Sequence, residues 1–195
     1  MRKDKIEKFN MLIVGTGGQG QITLLQILAQ AALFEGKEIR TSELHGLSQR
    51  GGSVEVHIRF GKKIHSPLIL LGEADLILGL EMQEALKAYS FANSGTTFLL
   101  NKKIISISLA KSLSEKEILK CLKKISKNII LVPAEEICQE KLGAKVVAGI
   151  YLISLASFKN LIPIKPNSIL KAINKIIPKK YLELNKKAFK LAKTY

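Results

Sequence analysis

The hydrophobic residues of this chain occur in short runs that alternate with segments of helical periodicity. Apolar runs predict buried strands at residues 9–14, 75–80, 96–100, 104–108 and 128–132, with a further short strand near 38–42. Residues 53–60 alternate strictly between apolar side chains and Glu55, His57 and Arg59, which is the pattern of a half-exposed strand. Strands that alternate with helices predict an α/β fold, Rossmann-like, with a largely parallel sheet and flanking helices.

Helical spacing of apolar residues extends over 21–34 and 82–91, and Gly36 suits the C-cap of the first of these helices. A capping box of Ser114 and Glu117 begins a helix that ends near Lys124. After Pro133 the pattern is helical over about 134–142, 144–158, 167–177 and 179–193. We therefore predict one domain, residues 1–195, with an α/β core over about 1–132. The helical C-terminal part, about 133–195, either covers the sheet or projects as an arm.

Composition excludes disorder and a membrane span. The chain has 195 residues, of which 47% are hydrophobic and 24% charged, so it can bury a sizeable core. Its longest uncharged stretch, residues 146–158, is thirteen residues long, whereas a membrane-spanning helix needs about 20. The charged N-terminal segment lacks the apolar region of a secretion signal, which favours a cytoplasmic protein.

The formal net charge of +15 is concentrated in the second half of the chain. Residues 111–195 hold 18 Lys and Arg against 6 Asp and Glu, whereas residues 1–110 hold 13 against 10. Only four of the basic residues are arginines, and the aromatic residues among the C-terminal lysines, Tyr181, Phe189 and Tyr195, are too widely spaced to form stacking platforms, which argues against nucleic-acid binding. Solvated helix faces and docking to an acidic partner both stay open. The two cysteines, Cys121 and Cys138, are expected to be free thiols, and no metal site is predicted.

A glycine-rich turn follows the first predicted strand and opens the first helix. Its spacing matches the dinucleotide-binding fingerprint, and its candidate residues are Gly15, Gly17, Gly18, Gln19 and Gly20. The fingerprint also requires an acidic residue that binds the ribose, about 20 residues further along. Glu38, Arg40 and Glu43 lie at that distance, and none of them is a clear ribose ligand. Two interpretations remain open: a phosphate cradle, or a turn needed for packing or for the approach of a neighbouring subunit.

A second polar segment leaves the next strand, and residues 44–52 are predicted to form a loop. In an open α/β sheet such a loop lies beside the crevice where ligands bind. Arg50 precedes two glycines and could present a bidentate donor to a phosphate or carboxylate, while His45 makes either a structural hydrogen bond or a functional contact. The candidate residues for a substrate crevice or a partner contact are Ser42, Glu43, His45, Gln49, Arg50, Gly51 and Gly52.

Four segments, at residues 14–21, 41–61, 72–87 and 185–192, together resemble the gamma-type subunit of 2-oxoacid:ferredoxin oxidoreductases. Within that superfamily, the SELHG and QRGGSV segments are most similar to the small (beta) subunit of indolepyruvate ferredoxin oxidoreductases. The segments follow the family's order over almost the whole chain, and the second polar segment is far more specific than the glycine turn.

The resemblance implies an accessory subunit of an enzyme that oxidatively decarboxylates aryl 2-oxoacids on thiamine diphosphate. Such enzymes pass electrons through iron–sulfur clusters to ferredoxin and transfer the acyl group to coenzyme A. An iron–sulfur cluster needs about four cysteines, and this chain has two and no pattern typical of thiamine diphosphate binding. We therefore expect a large alpha subunit to hold the thiamine diphosphate, magnesium, iron–sulfur clusters and coenzyme A, with no catalytic residue in this chain. Gln49, Arg50 and His45 are the expected polar contacts.

Three other interpretations stay open. The chain could be the gamma subunit of an enzyme for pyruvate, branched-chain oxoacids or 2-oxoglutarate. It could instead be a free-standing Rossmann-type nucleotide-binding protein, or a basic nucleic-acid or scaffold module.

Overall fold

The computed structural model of the chain describes residues 8–46, 51–105 and 112–195. One six-stranded sheet is formed by β1 (Lys8–Thr16), β2 (Ile39–His45), β3 (Ser53–Gly61), β4 (Leu76–Gly79), β5 (Thr97–Asn101) and β6 (Ile129–Val132). The strand order is β2-β3-β1-β4-β5-β6. Strands β1, β4, β5 and β6 pair in parallel, whereas β3 is antiparallel to both of its neighbours. The predicted α/β fold with a largely parallel sheet is confirmed.

Strand β3 separates β1 from β2. Because β3 is antiparallel to both, β2 runs parallel to β1 and ends at the same edge of the sheet. Its distance from β1 is two interstrand spacings, about 9.6 Å, instead of one. In the dinucleotide-binding fold the first two strands are direct neighbours, so this insertion changes the surroundings of the glycine turn.

Seven α-helices cover the two faces of the sheet in the described ranges. They are α1 (Gln21–Phe34), α2 (Met82–Lys87), α3 (Glu115–Leu122), α4 (Ala134–Leu142), α5 (Ala148–Phe158), α6 (Pro166–Ile176) and α7 (Lys179–Leu191). Helix α1 and the four C-terminal helices share one core with the first face, and α2 and α3 share a second core with the opposite face. The C-terminal helices therefore cover the sheet and do not project as an arm. No helix of the described segments is long and apolar enough to cross a bilayer.

The polar face of β3 is more buried than its alternating pattern predicted. Residues 64–70 cross this face, and their backbone forms hydrogen bonds with its His57 and Arg59 side chains. Arg59 donates through one Nη to the carbonyl oxygens of Ser66 and Leu68, at 3.0 Å each. The Ile69 N–H donates to Nδ1 of His57 at 3.2 Å. As a result His57 and Arg59 are only 1% and 8% exposed, and β3 is not a half-exposed strand.

Tertiary contacts give a different backbone from the predicted one at residues 44–45 and 104–105. The predicted loop at 44–52 begins later, because Leu44 and His45 continue β2 by pairing with β3. The predicted strand at 104–108 does not begin at Ile104 or Ile105, and its remaining residues lie outside the described ranges. The Ile105 N–H donates instead to the Glu81 carboxylate at 3.0 Å, which holds this segment against the start of α2.

Candidate functional site

The two polar segments singled out from the sequence meet at the carboxyl edge of the sheet. Strands β1 and β2 both end at this edge, and β3 lies between them. The Gly17 N–H donates to the Gly52 carbonyl oxygen at 2.8 Å, and the Gly51 N–H donates to the Gly17 carbonyl oxygen at 3.4 Å. The glycine turn and the end of the second loop therefore form one continuous backbone surface.

Side-chain amides hold the glycine turn in place from inside. The Thr16 N–H donates to Gln19 Oε1 at 2.8 Å, and Gln21 Nε2 donates to the Thr16 carbonyl oxygen at 2.9 Å. A Cβ on Gly15 would lie 2.5 Å from Gln19 Oε1, 2.8 Å from Gln21 Nε2 and 3.1 Å from Leu80 Cβ. A side chain at this first position of the turn would therefore displace both amides from their hydrogen bonds to Thr16, which favours glycine there.

The outer glycines of the turn have a different role. Gly18 and Gly20 have φ angles of 100° and 82°, in the region that disfavours other residues, and a Cβ on either would meet nothing within 4 Å. Gly20 is also the N-cap of α1, where no side chain caps the helix. The turn thus presents bare backbone to open space at the sheet edge, an arrangement that lets another molecule approach closely.

The start of α2 adds a group of charged residues that sequence reasoning did not select. Glu81 is 1% exposed, and its carboxylate accepts from the backbone N–H groups of Glu84, at 2.8 Å, and Ile105, at 3.0 Å. Burial raises the pKa of this carboxyl group. Glu84 pairs with Lys87 at 2.6 Å, and the Lys87 ammonium group also donates to Ser53 Oγ at 3.3 Å. This helix is thereby tied to the start of β3, directly beside the glycine turn.

The signal for these residues was present in the sequence. Three charged side chains at positions 81, 84 and 87 follow a buried strand, at the spacing of one helical face. Hydrophobic patterning identifies the strand and the helix there, but it carries no information about which charges become buried.

The candidate residues on β2 are only partly brought together. Ser42 is half-buried, whereas Glu43 and His45 are exposed and lie on the opposite face of the strand. Gln49 and Arg50 lie outside the described residues. A shallow cavity of about 290 Å³ nearby is lined by Leu44, His45, Gly46, Ser53 and Glu55.

The cysteines are separate in the fold. Cys121 is partly exposed on α3, and Cys138 is buried on α4, on the other side of the sheet. Burial raises the pKa of the Cys138 thiol to about 11, which leaves it protonated and a poor metal ligand at neutral pH. Across the described segments, no group of three or more His, Cys, Asp or Glu residues is placed to hold a metal ion.

Known proteins are similar to this chain over almost its whole length. Residues 10–195 match the family model described as pyruvate ferredoxin/flavodoxin oxidoreductase. The indolepyruvate oxidoreductase subunit IorB of Archaeoglobus fulgidus is 38% identical over 189 residues, covering 94% of this chain and 93% of that protein. The pyruvate/ketoisovalerate oxidoreductases common subunit gamma of Pyrococcus furiosus is 30% identical over 151 residues, covering 77% of this chain and 78% of that protein.

A solved structure supports the fold. The pyruvate oxidoreductase subunit PORC of Thermotoga maritima superposes with a TM-score of 0.70 at 18% sequence identity, and the match covers 96% of each chain. The arrangement of strands and helices is therefore shared over 96% of the chain.

Proposed function

The chain belongs to the pyruvate ferredoxin/flavodoxin oxidoreductase family, and on this premise we propose that it is an accessory subunit of a thiamine diphosphate-dependent indolepyruvate (aryl-pyruvate) ferredoxin oxidoreductase. The complex would oxidatively decarboxylate aryl 2-oxoacids to acyl-CoA, with ferredoxin as electron acceptor. The observation that carries this proposal is the 38% identity to an indolepyruvate oxidoreductase subunit, which extends over nearly the full length of both proteins.

The residues of this chain do not fit the cofactors that such a reaction needs. An iron–sulfur cluster is held by about four cysteine thiolates, but the chain has two cysteines, one of them buried on the far side of the sheet. We therefore assign the thiamine diphosphate, magnesium, iron–sulfur clusters and coenzyme A to a larger alpha subunit. In this assembly the chain contributes a contact surface, formed in part by the backbone of its glycine turn.

In this proposal the backbone surface at the carboxyl edge of the sheet faces the larger subunit. Gly18 and Gly20 leave open space above the turn, so a partner backbone or an anionic group can reach its N–H groups. His45, Gln49 and Arg50 supply the polar contacts, with Arg50 as the bidentate donor. Lys87 adds a cation that is already positioned beside Ser53.

A gamma subunit for another 2-oxoacid is the second candidate. It is favoured by the 30% identity to the common gamma subunit of pyruvate and ketoisovalerate oxidoreductases. A free-standing nucleotide-binding protein is less well supported, because the inserted β3 moves the end of β2 away from the glycine turn.

Purification of the tagged chain from its native cells tests the proposal. We expect a stoichiometric larger subunit that carries iron, sulfide and thiamine diphosphate, and ferredoxin reduction that is faster with indolepyruvate than with pyruvate, 2-oxoisovalerate or 2-oxoglutarate. A complex that prefers one of the last three substrates would support the second candidate. A chain that purifies alone and without iron would contradict both.

Variants of the polar contacts test the assignment of the site. Arg50→Ala and His45→Ala should weaken binding of the larger subunit roughly tenfold each, as truncation of a central interface residue typically does. Arg40→Ala is the matched control, because Arg40 is exposed on β2 and, among the described residues, its side chain donates only to the neighbouring Ile39 carbonyl oxygen, at 3.2 Å. The assignment fails if Arg50→Ala and His45→Ala both assemble and turn over like the Arg40→Ala control and the unmodified chain.

A further inference from the structure

A groove lies between α2 and α3, on the face of the sheet opposite the C-terminal helices. It encloses about 440 Å³ and is lined by Leu86, Lys87, Tyr89, Cys121, Lys124 and Ile125. Apolar side chains and the Cys121 thiol form most of its wall, and the Tyr89 side chain is 56% exposed. An unfilled apolar groove with an exposed aromatic residue is typical of a protein interaction site.

Two further exposed leucines lie on the segment that ends at Gly72. Leu70 and Leu71 are 62% and 70% exposed. The Gly72 N–H donates to the Ser90 carbonyl oxygen at 2.9 Å, which holds this segment beside the residue that follows Tyr89.

Helix α3 and the turn after it form one wall of the groove, and their strongly basic exposed surface, here called the rim, includes Lys124 of the groove lining. Helix α3 and the turn after it expose five lysines, and none of the five forms an ion pair with any described residue: Lys116, Lys120, Lys123, Lys124 and Lys127. The nearby Glu115 pairs with Lys102, at 3.5 Å, and so does not neutralise them. An apolar groove with a cationic rim is complementary to an apolar side chain flanked by acidic residues.

Two other occupants of the groove are disfavoured, one by charge and one by the small number of polar groups in the lining. A second copy of the chain would bring one lysine-rich rim against another in a symmetric pair, and like charges in an interface oppose association. A small-molecule site would need several convergent polar groups to orient its ligand, whereas the two lysines are the only charged groups of this lining.

We propose that this groove docks an acidic segment of the larger subunit, which inserts an apolar side chain between α2 and α3. The inference rests on the proposed function, because it requires that subunit to exist. Lys87 connects the two surfaces: it lines the groove and also donates to Ser53 Oγ beside the glycine turn. One partner could therefore cover the carboxyl edge and the groove together.

Cys121 provides a reporter for occupancy of the groove. The chain has only one other cysteine, Cys138, which is 0% exposed, so N-ethylmaleimide should modify the folded protein mainly at Cys121. The modification rate is measured by mass spectrometry for the chain alone and for its complex with the co-expressed larger subunit. We expect the rate in the complex to fall by on the order of tenfold, because access controls thiol reactivity.

Two substitutions separate the apolar and electrostatic contributions. Ile125→Asp should raise the dissociation constant for the larger subunit roughly 30-fold, the loss expected for a buried interface anchor. Lys124→Glu should slow association roughly tenfold at low salt and less at high salt. Leu33→Asp, at an exposed leucine on α1 across the sheet, is the matched control and should leave binding unchanged. Circular dichroism checks that Ile125→Asp is folded, and Lys124→Glu gives an independent readout at an exposed position.

Each outcome is decisive. Protection of Cys121 together with weakened binding of both groove variants would support the proposal. An intact complex in which Cys121 reacts at the free rate would overturn it and leave the accessory-subunit function standing. Protection that depends on the concentration of the chain alone would assign the groove to a second copy and would also overturn it. Absence of any complex would refute the proposed function and this inference with it.

Discussion

Replacement of Gly15 by alanine tests whether the glycine turn is built for packing. The new methyl group would lie 2.5 Å from Gln19 Oε1 and 2.8 Å from Gln21 Nε2. Both amides would have to move, although they hold the backbone of Thr16 on its two sides. Leu80 Cβ, at 3.1 Å, leaves no room on the remaining side.

The expected cost follows from these contacts. Each displaced amide loses a hydrogen bond worth about 1 kcal/mol, and a buried group left without a partner adds about 1–3 kcal/mol. Alanine recovers about 0.5–1 kcal/mol relative to glycine in a strand. We therefore expect the free energy of unfolding to fall by about 2–4.5 kcal/mol, and Tm to fall by about 4–18 °C for a chain of this length.

Urea unfolding and thermal unfolding of the Gly15→Ala protein measure this change. Gly149→Ala is the matched control, because the three atoms nearest to a Cβ there all belong to the Leu24 side chain, with the closest contact at 3.0 Å from a terminal methyl group. That methyl group can shift, and alanine is favoured over glycine in a helix by up to about 1 kcal/mol. The control should therefore remain within about 1 kcal/mol of the unmodified protein.

One result would refute the packing explanation. If the Gly15→Ala protein unfolds at the same urea concentration as the unmodified protein but no longer binds the larger subunit, then glycine is required for the approach of a partner. In that case the hydrogen bonds of Gln19 and Gln21 would contribute little to stability.

Two further predictions concern the second face of the sheet. Burial raises the pKa of Glu81 above its ordinary value of 4.5, so its contribution to stability is fully present below that value and is lost as the pH rises through the folded-state pKa. The unfolding free energy of the unmodified protein relative to Glu81→Gln should therefore decrease from about pH 4 to about pH 7 in a series of urea titrations, and an increase would contradict this. Ser114→Ala removes the hydroxyl group that accepts from the Glu117 N–H in the capping box of α3; calorimetry should show a loss of about 1 kcal/mol, and an unchanged transition would show that the cap does not stabilise the protein.

The local pattern predicted much of the fold. The buried strand before the glycine turn, helix α1 with its exact bounds, the capping box of Ser114 and the helical character after Pro133 were all predicted from neighbouring residues and are confirmed. These features depend on periodicity, turn chemistry and capping, which act within a few residues of one another.

The candidate site was predictable only in part. The glycine turn and its position between a strand and a helix are confirmed, whereas the cluster of Glu81, Glu84 and Lys87 was not selected. Its role arises because residues 53 and 105 approach α2 from distant parts of the chain. A sequence pattern reports which residues share a face, but it does not report which distant groups bury them.

The sequence by itself determined the alternation of strands and helices, the apolar faces and the glycine turn, since these depend on spacings of two to four residues. Only the tertiary structure decided that β3 lies between β1 and β2, and that residues 64–70 cover His57 and Arg59. Alternation of apolar and polar residues shows that a strand has two faces. It does not show which strands pair with its edges or which segment covers each face, because the packing and hydrogen bonds of the whole chain select these. The same non-local competition brings Gly17 and Gly52 into contact and so forms the surface of the candidate site.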